Sequence, residues 1–370
     1  MPEPPRILMA AGGTGGHVYP AIAIADAVKR LEPDAAVEFA GTRDRMEWEA
    51  VPKAGYAIHP ITVSGIQRKL TVRNLTFPFK LAKGFGDSWS LVGDFDPDAV
   101  VGTGGYVSGP VLLTASVRGR PVVIQEQNAY AGLTNRLLAR LAEHIHIAFP
   151  EAKDFVDPEK CVLSGNPTRK ELTEADRAQA RTYFGIPSDA LMLFVFGGSL
   201  GSKAINGAME EHLEALLDNE NLHVLWQTGE RYYERLEAHV PSHARLHLNK
   251  YIDRMDYAYA ATDVALCRAG AITCSELMVT GTPAVLVPSP NVTEDHQTKN
   301  ARSMTNSDAA VMLPEPELND RLLGAVRDLL DDGDRRRAMS EAAREIARPD
   351  AADDIARDVL RLAGLPEYET

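Results

Sequence analysis

The chain has 370 residues, 39 of them Lys or Arg and 52 Asp or Glu, for a formal net charge of −13. With 45% hydrophobic and 25% charged residues, the composition is that of an ordinary globular protein, not a disordered or fibrous one. The acidic balance argues against a general polyanion binder such as a nucleic-acid coat.

At about 100 to 200 residues per domain, the length suggests two domains. Three cysteines, Cys161, Cys267 and Cys274, are too few for a secreted disulfide scaffold, so a reducing cytoplasmic compartment is expected. The start, Met1-Pro-Glu-Pro-Pro-Arg6, lacks a basic stretch followed by a long apolar one, so no signal peptide is expected. No apolar run approaches the roughly 18 residues that span a bilayer. Any membrane contact should therefore be peripheral.

Short apolar, β-branched runs at residues 6–11, 37–40, 98–101, 121–125 and 144–148 read as buried strands. Helical periodicity at 20–31 and 133–142 lies between them. After the punctuated stretch Ser164-Gly-Asn-Pro167 the pattern restarts, with strands expected at 191–196, 222–226, 245–248, 263–266, 283–287 and 309–313. Helices fit 202–218, 273–279 and an Arg-rich tail from 320 to about 362. The alternation predicts right-handed βαβ units in two doubly wound, mostly parallel sheets. The expected division is 1–163, 164–345, and a C-terminal helix at 346–370 that packs back on the first domain. Ligands of such sheets bind outside the carboxyl ends of the strands, which in a two-domain chain puts the main site in the interdomain cleft.

Three glycine clusters fall where a strand should hand over to a helix: Gly12-Gly-Thr-Gly-Gly16, Gly102-Thr-Gly-Gly105 and Gly197-Gly-Ser-Leu-Gly201. Such turns let the backbone approach a ligand and present a helix N-terminus to an anion, so phosphate is the expected ligand class. Neither familiar nucleotide motif applies. A dinucleotide fingerprint from Gly13 or Gly102 meets Val18 or Val107 where a small residue is needed, and Lys203 follows Ser202, not glycine. His17 should sit in the first turn of a helix, where the neutral imidazole is favoured and a general base is plausible; a capping or hydroxyl-binding histidine is the bland alternative.

His144 and His146 have strand spacing, as a metal pair would need, but no Cys or carboxylate cluster completes a site. Cys267 and Cys274 are expected to pack rather than react. Glu276, early in a helix after Arg268-Ala-Gly270, could accept both hydroxyls of a ribose, or merely cap or pair. The loop at 288–297, ending Glu294-Asp-His-Gln297, is polar enough to read sugar hydroxyls. One window, from Ala50 to Gly86, has no acidic residue where average usage predicts about five. It carries Lys53, Arg68, Lys69, Arg73, Lys80 and Lys83.

Taken together, and in order, several motifs closely resemble the MurG family of peptidoglycan glycosyltransferases. They are Gly12-Gly-Thr-Gly-Gly-His-Val-Tyr-Pro20, Gly104-Gly-Tyr-Val-Ser-Gly-Pro110, Gln125-Glu-Gln-Asn128 with Ala131-Gly-Leu-Thr-Asn135, Gly165-Asn-Pro-Thr-Arg169, Gly197-Gly-Ser199, Arg268-Ala-Gly270 with Ser275-Glu276, and Glu294-Asp-His-Gln297. The resemblance runs from about residue 6 to 345. It implies a GT-B fold of two Rossmann-like domains. The implied reaction is inverting transfer of N-acetylglucosamine from UDP-GlcNAc to lipid I, giving lipid II, with no cofactor and no required metal.

The resemblance further implies UDP-GlcNAc contacts at Thr14, Gly15, Gly16, Asn128, Arg169, Ser199, Ile252, Arg268, Ala271, Ile272, Thr273, Cys274, Ser275, Glu276 and Gln297. Glu276 would take the ribose, Ser199 and Arg268 the diphosphate, the Ile252 backbone the uracil, and Asn128 and Gln297 the sugar. Gly104, Gly105 and Tyr106 would face the acceptor, and His17 would be the base.

Because the acceptor is a polyprenyl lipid, the enzyme should work peripherally on the cytoplasmic face of the bacterial inner membrane, with cell-wall synthesis or division proteins as possible partners. Ile66, Arg68, Lys69, Leu70, Arg73, Leu75, Phe77, Phe79, Lys80 and Lys83 would contact the anionic surface; a core helix with solvated lysines is the alternative. Competing functions are a UDP-sugar 2-epimerase, a diacylglycerol glycosyltransferase, and a non-enzymatic nucleotide-sugar binder.

Overall fold

The structure is a computed structural model that describes residues 3–63, 77–365 and 368. Ile66, Arg68, Lys69, Leu70, Arg73 and Leu75 of the expected membrane segment lie outside the described residues. The chain forms two compact units, Met1–Thr168 with Asp350–Thr370, and Arg169–Pro349.

The first unit is built on a parallel sheet of β1 (Arg6–Ala11), β2 (Ala36–Gly41), β3 (Ala57–Pro60), β4 (Ala99–Gly104), β5 (Val122–Glu126), β6 (His144–Ile147) and β7 (Cys161–Leu163). Its spatial order is β3-β2-β1-β4-β5-β6-β7. The winding therefore reverses between β1 and β4, whose carboxyl ends carry the first two glycine clusters. Strand alternation sorts the core. Ile7, Met9 and Ala11 pack on one face with Val18, Ile24 and Val28 of the helix Gly15–Leu31. Leu8 and Ala10 pack on the other with Val92, Val111 and Leu112.

The second unit repeats the scheme with β8 (Leu191–Phe196), β9 (Leu222–Gln227), β10 (Leu246–Asn249), β11 (Val264–Cys267), β12 (Ala284–Leu286) and β13 (Val311–Met312). Its order is β10-β9-β8-β11-β12-β13, again parallel. The reversal here lies between β8 and β11, at the Gly197 and Arg268 loops. Both sheets are doubly wound, as the strand–helix alternation predicts.

Three local differences from the sequence reading have physical causes. The edge strands β3 and β7 have four and three residues and are partly exposed, so neither shows a buried-strand pattern. The first helix starts at Gly15 rather than residue 20, because the Thr14 carbonyl accepts the N–H groups of His17 and Val18 at 3.0 and 3.1 Å. The tail is three helices, Leu318–Asp331, Gly333–Ile346 and Ala351–Leu362. Asp332 caps the second by accepting from the Arg335 N–H at 2.8 Å, and Pro349 separates the second from the third.

The last helix belongs to the first unit. Ile355, Ala356, Val359 and Leu360 are fully buried in the cluster around the helix Gly15–Leu31, each large aliphatic side chain contributing about 1.5 to 3 kcal/mol. Asp358 of this helix accepts from His144 Nδ1 at 2.7 Å and from His146 Nε2 at 3.0 Å. His146 Nδ1 in turn lies 3.1 Å from Ser164 Oγ. The two strand-spaced histidines thus share a carboxylate that ties the C-terminal helix to β6.

Candidate functional site

In the first unit the two glycine clusters interlock at the switch point. Gly105 has φ +86°, and a Cβ there would stand 2.2 Å from the Gly12 carbonyl oxygen, so only glycine fits. A Cβ on Gly104 would meet the His17 ring at 2.8 Å. His17 lies in the first helical turn; its Nδ1 is 3.1 Å from the Gly12 carbonyl and 3.4 Å from Thr14 Oγ1. A carbonyl only accepts, so Nδ1 carries the proton and Nε2 is the basic nitrogen. Thr14, at the helix start, and Gly16, in its first turn, are exposed, as is Tyr106 beyond the second cluster.

A buried carboxylate holds the next loop. Glu126 Oε1 accepts from the Asn128 N–H at 2.9 Å and from Asn128 Nδ2 at 3.3 Å. Its Oε2 accepts from the Gly132 N–H at 2.9 Å and Asn135 Nδ2 at 2.8 Å. Gln125 Nε2 donates to Asn166 Oδ1 at 2.9 Å, and Asn166 Nδ2 to the Gln127 carbonyl at 3.0 Å. Glu126 therefore ties the Gln125–Asn128 motif to Ala131–Asn135 and fixes Asn128, while Gln125 and the Gln127 carbonyl hold Asn166.

In the second unit a cavity of about 680 Å³ opens at the switch point, with Gly197, Ser202, Lys203, Arg268, Gln297 and Glu315 in its walls. Gly201 has φ +73°, and a Cβ there would collide with the Thr228 carbonyl at 2.0 Å. Ser202 caps the following helix, Lys203–Leu217, by accepting from the Ile205 N–H at 3.3 Å. Arg268 forms an ion pair with Glu315, and its Nη1 donates to the Val287 and Pro288 carbonyls at 3.1 and 3.2 Å. Gln297 Oε1 accepts from the Ser289 N–H at 2.8 Å.

The helix Ala271–Thr280 starts at the same end of the sheet, directly after Gly270. Ala271, Cys274 and Ser275 turn their side chains into the core, while Ile272 and Thr273 of the first turn are half-buried. Burial pushes the Cys274 thiol up to about 12 and the Cys267 thiol well above its ordinary value, which keeps both protonated. One turn on, Glu276 Oε2 accepts from the Tyr259 hydroxyl at 2.9 Å, while Oε1 is 3.7 Å from Arg169 Nη2. Burial raises the Glu276 carboxyl above its ordinary value, and Arg169 and the Tyr259 hydroxyl pull it back.

Ile252 is joined to the phosphate-type loop through a side chain: its N–H donates to Gln227 Oε1 at 2.8 Å, and Gln227 Nε2 donates to the Gly198 carbonyl at 3.3 Å. Ser199 is exposed at the tip of that loop. Each unit thus gathers its own share of the predicted residues. Thr14, Gly15, Gly16, His17, Gly104, Gly105, Tyr106 and Asn128 belong to the first; Arg169, Ser199, Ile252, Arg268, 271–276 and Gln297 belong to the second.

The sequence reading gave no role to Glu47, Glu126, Gln227 or Tyr259, which bond to Gly13, Asn128, Ile252 and Glu276 respectively. Glu126 and Gln227 carry a usable signal, since each is a polar residue closing an apolar strand at its carboxyl end. Glu47 and Tyr259 stand on helices and carry no such positional mark.

Two family models match this chain: the glycosyltransferase family 28 N-terminal domain over residues 7–147 and the glycosyltransferase family 28 C-terminal domain over residues 192–355. The chain belongs to glycosyltransferase family 28. Among curated family members, the Salinibacter ruber protein named UDP-N-acetylglucosamine--N-acetylmuramyl-(pentapeptide) pyrophosphoryl-undecaprenol N-acetylglucosamine transferase is 62% identical, covering 97% of both chains. A protein of the same name from Christiangramia forsetii is 43% identical over 98% of this chain and 99% of its own.

The crystal structure of Acinetobacter baumannii MurG superposes with a TM-score of 0.77 at 31% identity, covering 97% of this chain and all of that one. A UDP-GlcNAc 2-epimerase from Neisseria meningitidis, bound to UDP-GlcNAc, has a TM-score of 0.68 at 12% identity, covering 96% of this chain and all of that one; this likeness concerns the fold alone. The family 28 architecture is that of the GT-B fold, two Rossmann-like parallel-sheet domains, and this chain has it.

Proposed function

We propose that this chain transfers N-acetylglucosamine from UDP-GlcNAc to lipid I, with inversion at the anomeric carbon, yielding lipid II and UDP in peptidoglycan synthesis. The observation that carries this reading is the 62% identity, over 97% of both chains, to a transferase named for that reaction. The geometry of each unit supports it.

In the second unit, Glu276 takes the ribose hydroxyls on the oxygen that faces Arg169, and the Ile252 backbone takes the uracil. Arg268, Ser199 and the Gly197–Gly201 backbone receive the diphosphate, and Gln297 the sugar. As UDP leaves, negative charge grows on its β-phosphate oxygen; Arg268, Arg169 and the helix N-terminus at Ala271 stabilise it. In the first unit, His17 Nε2 takes the proton of the attacking muramyl hydroxyl as its oxygen bonds to the anomeric carbon and the bond to UDP breaks. Asn128 contacts the sugar, and Gly104, Gly105 and Tyr106 face the acceptor.

The protein works peripherally at the cytoplasmic face of the membrane that holds this lipid. Among the described residues no helix is long and apolar enough to cross a membrane. In the helix Phe77–Phe95, Phe79 is 80% exposed beside exposed Lys80 and Lys83, a pairing of aromatic and basic groups suited to an anionic interface.

The test is a transfer assay with UDP-GlcNAc and a lipid I analogue, with product identified by mass spectrometry. Formation of the β-linked disaccharide lipid is expected. Tight UDP binding with no transfer would sink the enzymatic reading, and release of the 2-epimer of the donor sugar would replace it.

A further inference from the structure

The peptide group between Gly12 and Gly13 is hydrogen-bonded at both ends. Its N–H, on Gly13, donates to Glu47 Oε2 at 3.1 Å. Its carbonyl, on Gly12, is 3.1 Å from His17 Nδ1. Glu47 has no solvent exposure, and its other oxygen accepts from the Thr42 N–H at 3.1 Å. A Cβ on Gly12 would lie 2.8 Å from Glu47 Oε1, so the carboxylate is packed directly behind the loop. Both oxygens accept, as an ionised carboxylate does.

We propose that Glu47 is a positioning residue for His17, acting through the Gly12–Gly13 peptide group: it fixes the imidazole with its proton on Nδ1 and strengthens Nε2 as a proton acceptor. A negative charge at an amide N–H draws the amide dipole towards it and makes the carbonyl oxygen a better acceptor. That oxygen then favours the protonated Nδ1 and stabilises the imidazolium that forms when Nε2 takes a proton. A carboxylate bonded directly to an imidazole does the same in a Ser-His-Asp triad; here a peptide group stands between them. Thr14, Thr103 and Gly104 also pack against His17.

The inference rests on the reading of His17 as the base, and its test separates the two. In Glu47→Gln the side chain keeps its size and one acceptor but loses its charge. The midpoint of the His17 imidazole titration, followed by NMR, is expected to move to lower pH by about half a unit or more. The acid limb of the kcat–pH profile should move with it, and kcat should fall about tenfold. UDP affinity should be unchanged. In a His17→Ala background, Glu47→Gln should cost nothing further.

An unmoved His17 titration, or an equal loss of kcat in both backgrounds, overturns the proposal. Should Glu47→Gln fail to fold, Glu47→Asp, which keeps the charge but withdraws it by one methylene, is read by the same titration with the same two outcomes. Full turnover in His17→Ala alone would remove the base reading, while the NMR midpoint would still report on the link between Glu47 and His17.

Discussion

Tyr259 donates its phenolic hydrogen to Oε2 of Glu276 at 2.9 Å, so one carboxylate oxygen is committed inside the protein and the other faces Arg169. Burial raises the Glu276 carboxyl, and the Tyr259 hydroxyl is one of two groups that oppose the rise. Removing it in Tyr259→Phe should raise the carboxyl further. A carboxyl that must be ionised to accept ribose hydroxyls loses donor affinity as pH falls through its pKa. Calorimetric titration with UDP should therefore show weaker binding in Tyr259→Phe, by about 1 kcal/mol or fivefold at pH 7. The deficit should widen towards pH 5. Equal deficits at pH 5 and pH 8 would show that the hydroxyl does not tune Glu276.

Gln227 joins two loops that the donor is proposed to span, with Oε1 on the Ile252 N–H and Nε2 on the Gly198 carbonyl. Gln227→Met keeps the length but neither bond, and leaves a buried N–H without its acceptor at about 1 to 3 kcal/mol. The donor KM should rise about tenfold with kcat little changed, the pattern of lost uniform binding. A fall in kcat at constant KM would place the effect in the transition state instead.

Asp358 ties the last helix to β6. Burial by itself would raise its pKa, but hydrogen bonds from His146, Arg361 and His144 outweigh that and hold it well below the usual carboxylate range. A depressed carboxylate stabilises the fold above its unfolded pKa of about 3.9, and that contribution disappears as pH falls below it. Asp358→Asn should lose on the order of 2 kcal/mol at pH 7. Amide exchange in the helix Ala351–Leu362 should then quicken about 30-fold. The difference from the unmodified protein should shrink below pH 4; a constant difference down to pH 2 would mean that the ionisation is not what matters.

Changing Arg68, Lys69, Arg73, Lys80 and Lys83 together to Glu should abolish sedimentation with anionic phosphatidylglycerol vesicles. Each basic residue near such a surface is worth about 1 kcal/mol. Binding of UDP should be retained. Undiminished vesicle binding would move the membrane contact elsewhere on the molecule.

The doubly wound architecture was legible in the sequence because it depends on local pattern. Runs such as Leu191–Phe196 can only be buried strands, and glycine clusters at their carboxyl ends mark turns that other residues cannot make. The candidate site residues came instead from the resemblance of the ordered motifs to a known family, which periodicity alone does not supply. Short edge strands such as β3 and the break at Pro349 were blurred, because burial and capping there depend on neighbours that the local pattern does not name.

Only the tertiary structure decided what holds the functional groups. Glu47 lies 34 residues from Gly13, Asp358 lies 212 from His146, and Gln227 lies 29 from Gly198. A buried polar group needs a partner with the right chemistry at the right distance, and chain folding, not periodicity, brings such partners together. The sequence by itself determined the class of fold, because that rests on local pattern. Which carboxylate stands behind His17, and which side chains orient Glu276 and Ile252, became visible only when distant segments met in three dimensions.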